Sequence, residues 1–204
     1  MMSLDPTLLL LLIAGLFILV FGGLSFIRRE GLSAQFALEG VALTALVVGG
    51  ARLLNVALNP FLFLVILYAV TMRSRLTVDV ANLLARRGSY EGAYRLYRLS
   101  LAWWPDASSR LIVQTNLGAA QLYEGQLEAA IRTLEGVLEV EKRPRLGLKY
   151  EAACRYNLGL AYEQKGESAK AIVEFNEVLD VLPGSAYAKA AQAAIKRRKK
   201  KRGD

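Results

Sequence analysis

Residues 152–185 read AACRYNLGLAYEQKGESAKAIVEFNEVLDVLPGS, and this stretch decides the fold. Leu158, Gly159, Tyr162, Gly166, Ala171, Phe175 and Pro183 stand at the spacings of two short antiparallel helices joined by a turn. Gly159 and Ala171 let those helices approach closely, while Leu158, Tyr162, Phe175, Val178 and Leu179 recur at helical spacing as their apolar faces. Gly166 marks the turn and Pro183 stops the second helix. One such pair cannot bury both of its faces, so copies must stack against it.

Aligned on the turn glycine, a second copy covers about 111–144, with Leu117, Gly118, Gly125, Ala130 and Leu134 in the pattern. A fainter one covers about 74–107, with Gly88 at the turn, then Ala93, Tyr97, Leu101 and Pro105. The turn glycines are 37 and 41 residues apart. Both gaps exceed the ~34 residues of the commonest helix–turn–helix repeat, which predicts lengthened helices and a longer loop at Lys142–Gly147. On these residues the chain resembles the tetratricopeptide repeat family over about 74–185. The resemblance implies a right-handed superhelix of helix pairs whose concave face binds peptides or other proteins. The expected fold class is all-α: N-terminal transmembrane helices, then a tetratricopeptide-like α-solenoid of three helix pairs, with a capping helix at 186–195 formed by Ala188, Ala191, Ala194 and Ile195.

Toward the N-terminus the composition changes. Residues up to about Met72 are nearly devoid of charge. Thr7–Ile27 is an unbroken apolar run followed by Arg28 and Arg29, long enough for the ~20 residues that cross a bilayer. Asp5 precedes the run and the basic pair follows it, the reverse of a cleaved signal peptide, so a retained span is expected. Further apolar segments at about 32–51 and 53–72 complete a membrane domain at 1–73. An alternative makes Arg52–Pro60 an interfacial turn and leaves the third span short. Three crossings put Arg28, Arg29, Arg73 and Arg75 on one side and Arg52 on the other, which predicts an outside N-terminus and cytoplasmic repeats. Ser33, Ala37, Ala45 and Gly49 form a small-residue stripe suited to helix packing, and the Leu-rich first span is expected to face more lipid. Glu39 is the one acid in a predicted span; reaching toward the headgroups, or pairing with Arg28 or Arg29, is preferred to ion transport because the other spans offer no partner acid. No Pro or Gly interrupts Thr71–Arg86, so the third span is expected to run on into the first repeat helix. Trp103 and Trp104 have two readings, packing on the next repeat helix or contact with headgroups.

Toward the C-terminus, Lys196, Arg197, Arg198, Lys199, Lys200, Lys201 and Arg202 hold most of the net charge of +8. Seven adjacent cations repel one another, which predicts a disordered tail at 196–204. Its functional readings are a membrane surface with anionic lipid, an acidic protein partner, or nucleic acid; the bland reading is a solubilising end. With one Cys and no His, neither an internal disulfide nor a histidine-based zinc or catalytic set can be assembled, and Cys154 reads as a buried thiol. No catalytic residue, metal site or cofactor is predicted, and the chain is not expected to be an enzyme.

Family members that bind the acidic C-termini of cytosolic heat-shock chaperones present two asparagines and three basic side chains on the concave face. Asn82 and Asn116 match the asparagines, but Val78, Ala153 and Asn157 stand at the basic places, so that ligand is not expected. The groove is instead assigned to Asp79, Asn82, Arg86, Thr115, Asn116, Ala119, Tyr123, Asn157, Leu160, Glu163 and Gln164. The function expected is a membrane-anchored scaffold whose cytoplasmic repeats recruit a protein or peptide. The alternative is an accessory subunit of a membrane transport, secretion or envelope-assembly complex, held through its spans.

Overall fold

The computed structural model describes residues 5–27, 33–140 and 146–203. These residues form ten helices and no strand. Three are apolar: α1 Pro6–Ile27, α2 Ala34–Leu53 and α3 Pro60–Thr71. Leu10, Ala14 and Phe17 line one face of α1 and pack on Val48 of α2 and on Phe63 and Leu67 of α3. Outward-facing Leu8, Leu12, Leu19, Leu38, Leu46 and Phe61 remain exposed, a distribution suited to an apolar surround. Pro6–Leu24 and Ala34–Leu53 are each long and apolar enough to cross a membrane. Equal shares of the two, 17%, are buried, yet among the described residues α1 turns eight large apolar side chains outward against four in α2, as its leucines suggested.

The third apolar helix follows the alternative reading. Asn59 caps it, its side chain accepting from the N–H groups of Phe61 (2.9 Å) and Leu62 (3.3 Å), and Pro60 occupies its first turn. Its 12 residues reach only ~18 Å at 1.5 Å per residue. Nor does it continue into the repeats: it ends at Met72 and meets α4, Arg73–Arg86, at 71°. The break has a long-range cause. Arg73 turns back to donate to Val70 O (2.9 Å) and forms a two-point pair with Glu39 of α2, Nη2 to Oε1 being 3.0 Å. Glu39 is thus paired with Arg73; Arg28 and Arg29 lie outside the described residues. The packed stripe of α2 is also displaced from the expected one. Gly40, Thr44 and Val48 are buried while Ala45 is exposed, because Gly40 admits Ile18 and the Thr44 hydroxyl is satisfied by Gly40 O at 2.7 Å.

Seven more helices follow: α4 pairs with α5 (Tyr90–Ala102), α6 (Ala107–Glu124) with α7 (Leu127–Val140), and α8 (Leu148–Lys165) with α9 (Ser168–Val181), before α10 (Ala186–Gly203). Gly125 and Gly166 take left-handed backbone (φ 90° and 88°) and end α6 and α8. α6 begins earlier than the repeat pattern indicated, because Asp106 caps it by accepting from Ser109 N–H at 2.8 Å. Both α6 and α8 have 18 residues against 14 in α4, and most of the expected long loop, 141–145, lies outside the described residues. A Cβ on Gly159 would stand 2.7 Å from the Phe175 ring, and one on Gly118 2.7 Å from Leu134, so both helix pairs are closed to any side chain there. Cys154 is fully buried beside Leu134 O. Arg155 is bound to Glu151 (3.0 Å) and Glu174 (3.3 Å), joining α8 to α9.

The basic end departs from the expected disorder. α10 buries Ala188, Ala191 and Ala194 and then continues as helix through Gly203. Arg198 anchors it, donating to Glu163 Oε1, Ser168 O and Ser168 Oγ, each at 2.9 Å.

Candidate partner-binding groove

The first helix of each pair supplies the residues assigned to the groove: Asp79, Asn82 and Arg86 from α4, Thr115, Asn116, Ala119 and Tyr123 from α6, and Asn157, Leu160, Glu163 and Gln164 from α8. Asp79, Asn82 and Arg86, Asn116, Ala119 and Tyr123, and Asn157, Leu160 and Gln164 climb their helices in steps of three or four and so share a face in each, while Thr115 and Glu163 stand one residue to the side. Asp79, Arg86, Tyr123 and Gln164 are exposed and ready for a ligand. Several others already serve the fold. The Tyr97 hydroxyl donates to Asn82 Oδ1 at 2.6 Å, Thr115 donates to Leu111 O at 2.9 Å, and Asn116 Nδ2 to Ile112 O at 2.8 Å. Asn157 is buried, Ala119 and Leu160 are half-buried, and Glu163 is held by Arg198. Val78 and Ala153, at two of the places where the chaperone-binding members carry cations, are buried.

Two aromatic side chains near the assigned residues were not foreseen, Tyr156 and Tyr187. The Tyr187 ring of α10 lies 5.9 Å from Tyr156 of α8, centroid to centroid, and Tyr156 in turn lies 5.9 Å from Phe175. Burial pushes the Tyr187 phenol above its ordinary range, the nearby Tyr123 adds to the rise, and Arg86 opposes it. Burial and Tyr123 likewise raise Tyr156, with Arg197 opposing. Tyr156 of α8 and Tyr187 of α10 thus pack ring to ring, and each feels the charge of Tyr123 on α6, Tyr187 also that of Arg86 on α4. Phenols kept neutral donate hydrogen bonds and offer flat apolar faces, which suits an extended peptide. A signal for Tyr187 existed in its place one residue before the Ala188 stripe, on the flank of the cap that returns toward the first helices. Of the seven tail cations, Arg198 is the one whose bonds are described. Lys196 and Arg197 are exposed, and the side chains of Lys199, Lys200, Lys201 and Arg202 lie outside the described residues.

Residues 110–183 match the tetratricopeptide repeat family, a span that runs from α6 through α9. A comparison with curated proteins returns no match. Repeats of this family form non-catalytic scaffolds for protein–protein interaction.

Proposed function

We propose that the chain is a membrane-anchored interaction scaffold: α1–α3 fix it in a bilayer, and the groove recruits a protein or peptide on the cytoplasmic side. The observation that carries the reading is the union of a tetratricopeptide match with a cluster of exposed and half-buried Arg86, Tyr123, Tyr156 and Tyr187 side chains on the ligand-facing helices. Orientation follows from charge. Glu39 near the start of α2 meets Arg73, two residues past the end of α3, so the chain returns to the side from which α2 departed. Arg28, Arg29, Arg73 and Arg75 gather on that side by sequence, whereas Arg52 sits with Asp5 (3.9 Å) at the opposite end of the helices, which supports cytoplasmic repeats.

The test uses the full chain in mild detergent. Asp79→Ala, Arg86→Ala and Tyr123→Ala combined leave the core untouched and should abolish recovery of the partner at unchanged thermal stability; recovery equal to the parent's rejects the groove. The second reading, an accessory subunit held through its spans, is favoured by one observation: on α2 Ala45 is exposed and a Cβ on Gly49 would meet no atom within 4 Å, leaving a small-residue surface outward. Gly49→Leu should remove the partner in that case while the groove variant keeps it. A reporter fused after Asp204 that works only outside the cytoplasm would reverse the orientation.

A further inference from the structure

A solenoid needs something against the outer face of its first helix pair. The last pair has α10 there. On the first pair, α4 buries Ser74, Val78 and Ala81 and turns Leu76, Val80 and Leu83 the other way, at 36%, 52% and 48% exposure. Those three are spaced four and three residues apart, one continuous stripe of a helix. Leu99 of α5 and Trp103, the residue just past its end, are 38% and 41% exposed, and Trp104 is 79% exposed. Alongside exposed charges such as Asp79, Arg87, Arg95 and Arg98, this pair therefore turns leucine, valine and tryptophan outward.

Two geometric facts give this face a direction. The 71° angle between α3 and α4 lays α4 close to the bilayer plane when α3 stands along its normal. The attachments to α2 then order the layers. Arg73 is fixed at Glu39, and its guanidinium also donates to Trp103 O (2.9 Å), while Gln35 Nε2 donates to Trp104 O (2.8 Å). The start of α6, Asp106 to Ser109, lines two small cavities, one with Gln35, Glu39 and Arg73 and a second, farther along, with Ser33, Phe36, Arg75 and the Phe21–Gly22 part of α1. Ser33 lies six residues before Glu39, or ~9 Å nearer the end of α2, and 8–10 Å is about the spacing of packed helices. The start of α6 thus reaches past Glu39 to the Ser33 end of α2, and Arg75 of α4 faces the same cavity; Val80, five residues on from Arg75 and so ~140° around the helix, is turned the other way, toward the membrane core. The level is shallow. α1 continues five residues past Gly22 to Ile27, ~7 Å more of apolar helix, which places the Trp103–Trp104 corner below the end of the apolar run.

We infer that the outer face of the first helix pair, with Trp103 and Trp104 at its edge, rests in the headgroup region of the bilayer, which closes the solenoid there as α10 closes it at the other end. This rests on the membrane reading above. Tryptophan suits that depth because its ring is apolar and its N–H finds water or headgroup oxygen, and Trp104 is held outward by a left-handed backbone (φ 46°) in the loop that Arg73 and Gln35 pin.

Trp103 and Trp104 are the two tryptophans of the chain, so its indole fluorescence reports this corner alone. The full chain is reconstituted in neutral phosphatidylcholine vesicles, with and without bromine near the headgroup end of the acyl chains. Flotation of the chain with the vesicles after an alkaline wash checks insertion. Blue-shifted emission that is largely lost in brominated vesicles and resists aqueous iodide is the expected result. Emission that iodide quenches and bromine does not, from a chain that floats, would overturn the inference and leave the membrane reading standing; failure to float would remove both. Leu76→Glu with Val80→Glu, both surface changes, should restore iodide quenching, and unchanged bromine quenching would overturn the placement of α4 at the interface.

Discussion

The first and last helix pairs apply one closing rule with different side chains and different neighbours. In the last pair Gly159 lies under the Phe175 ring with no room for a Cβ, and in the first pair the same two places hold Ala81 and Tyr97, both buried. The aromatic rings explain the substitution. The Phe175 ring fills the space a Cβ at Gly159 would take, whereas the Tyr97 hydroxyl donates to Asn82, and burial pushes its pKa up to about 12, so it remains a donor at any physiological pH. Beyond the shared interior the pairs part. Alanines of α10 cover the last pair, while the first presents Leu76, Val80 and Trp103 outward. The pattern thus specifies how two helices meet, and the outer faces record what each pair was built to meet next.

The strongest way to break the comparison is Gly159→Leu. Phe175 would have to leave its place, at a cost of roughly 1–3 kcal/mol or more, and the chain should melt at lower temperature in mild detergent with α8 and α9 losing hydrogen-exchange protection first. Melting like the parent would show that the pair does not close at Gly159. Next in size is Arg73→Gln at the other end. It removes charge-assisted bonds worth about 1.5–3 kcal/mol each at most, less for a pair that is a quarter exposed. Faster exchange in α4 and in the Trp103–Asp106 loop, with α8 unchanged, is the expected signature; uniform exchange across the chain would contradict a local role.

Those two variants also divide what could be read from the chain from what could not. Gly118, Gly125, Gly159, Gly166 and the alanines of α10 announce themselves because turns and close helix pairs demand small residues at fixed local spacing. The break at Met72 does not, since no Pro or Gly marks it and its cause, Glu39, stands 34 positions away from Arg73. The tryptophans were legible as a choice between two readings; at 79% exposure Trp104 packs little on its neighbours, while Trp103 at 41% is partly covered. Among the groove residues, the exposed Asp79, Arg86 and Tyr123 keep their assignment as proposals. The sequence could not show that Glu163 would be taken by Arg198, because electrostatic repulsion within seven cations says nothing of a carboxylate on a neighbouring helix.

Arg198→Ala sharpens the account of the cap with a smaller effect. Loss of its bonds to Glu163 and Ser168 should cost about 1 kcal/mol and fray α10 from its basic end, seen as faster exchange confined to the residues after Ile195; protection unchanged there would mean that alanine burial alone holds the helix. The smallest effect is one of pH. Burial raises the Glu174 carboxyl above its ordinary value, with Arg155 opposing, so the folded state holds this proton more tightly than the unfolded one. Its contribution is full below the ordinary value and is lost as pH rises through the raised one. Glu174→Gln should therefore flatten the fall in melting temperature over that rise, and a parallel profile would assign the fall to other groups.

The elbow at Met72 has a mechanical consequence. A partner that pulls on the groove loads α4 across its length, and the elbow alone, a single turn of backbone, would yield by hinging. Arg73 prevents this as a bracket does, since its guanidinium grips α2 through Glu39, the end of α3 through Val70 and the α5–α6 loop through Trp103 at once. On the membrane reading proposed above, these attachments share any load placed on the repeats, so traction reaches α2 as well as the joint.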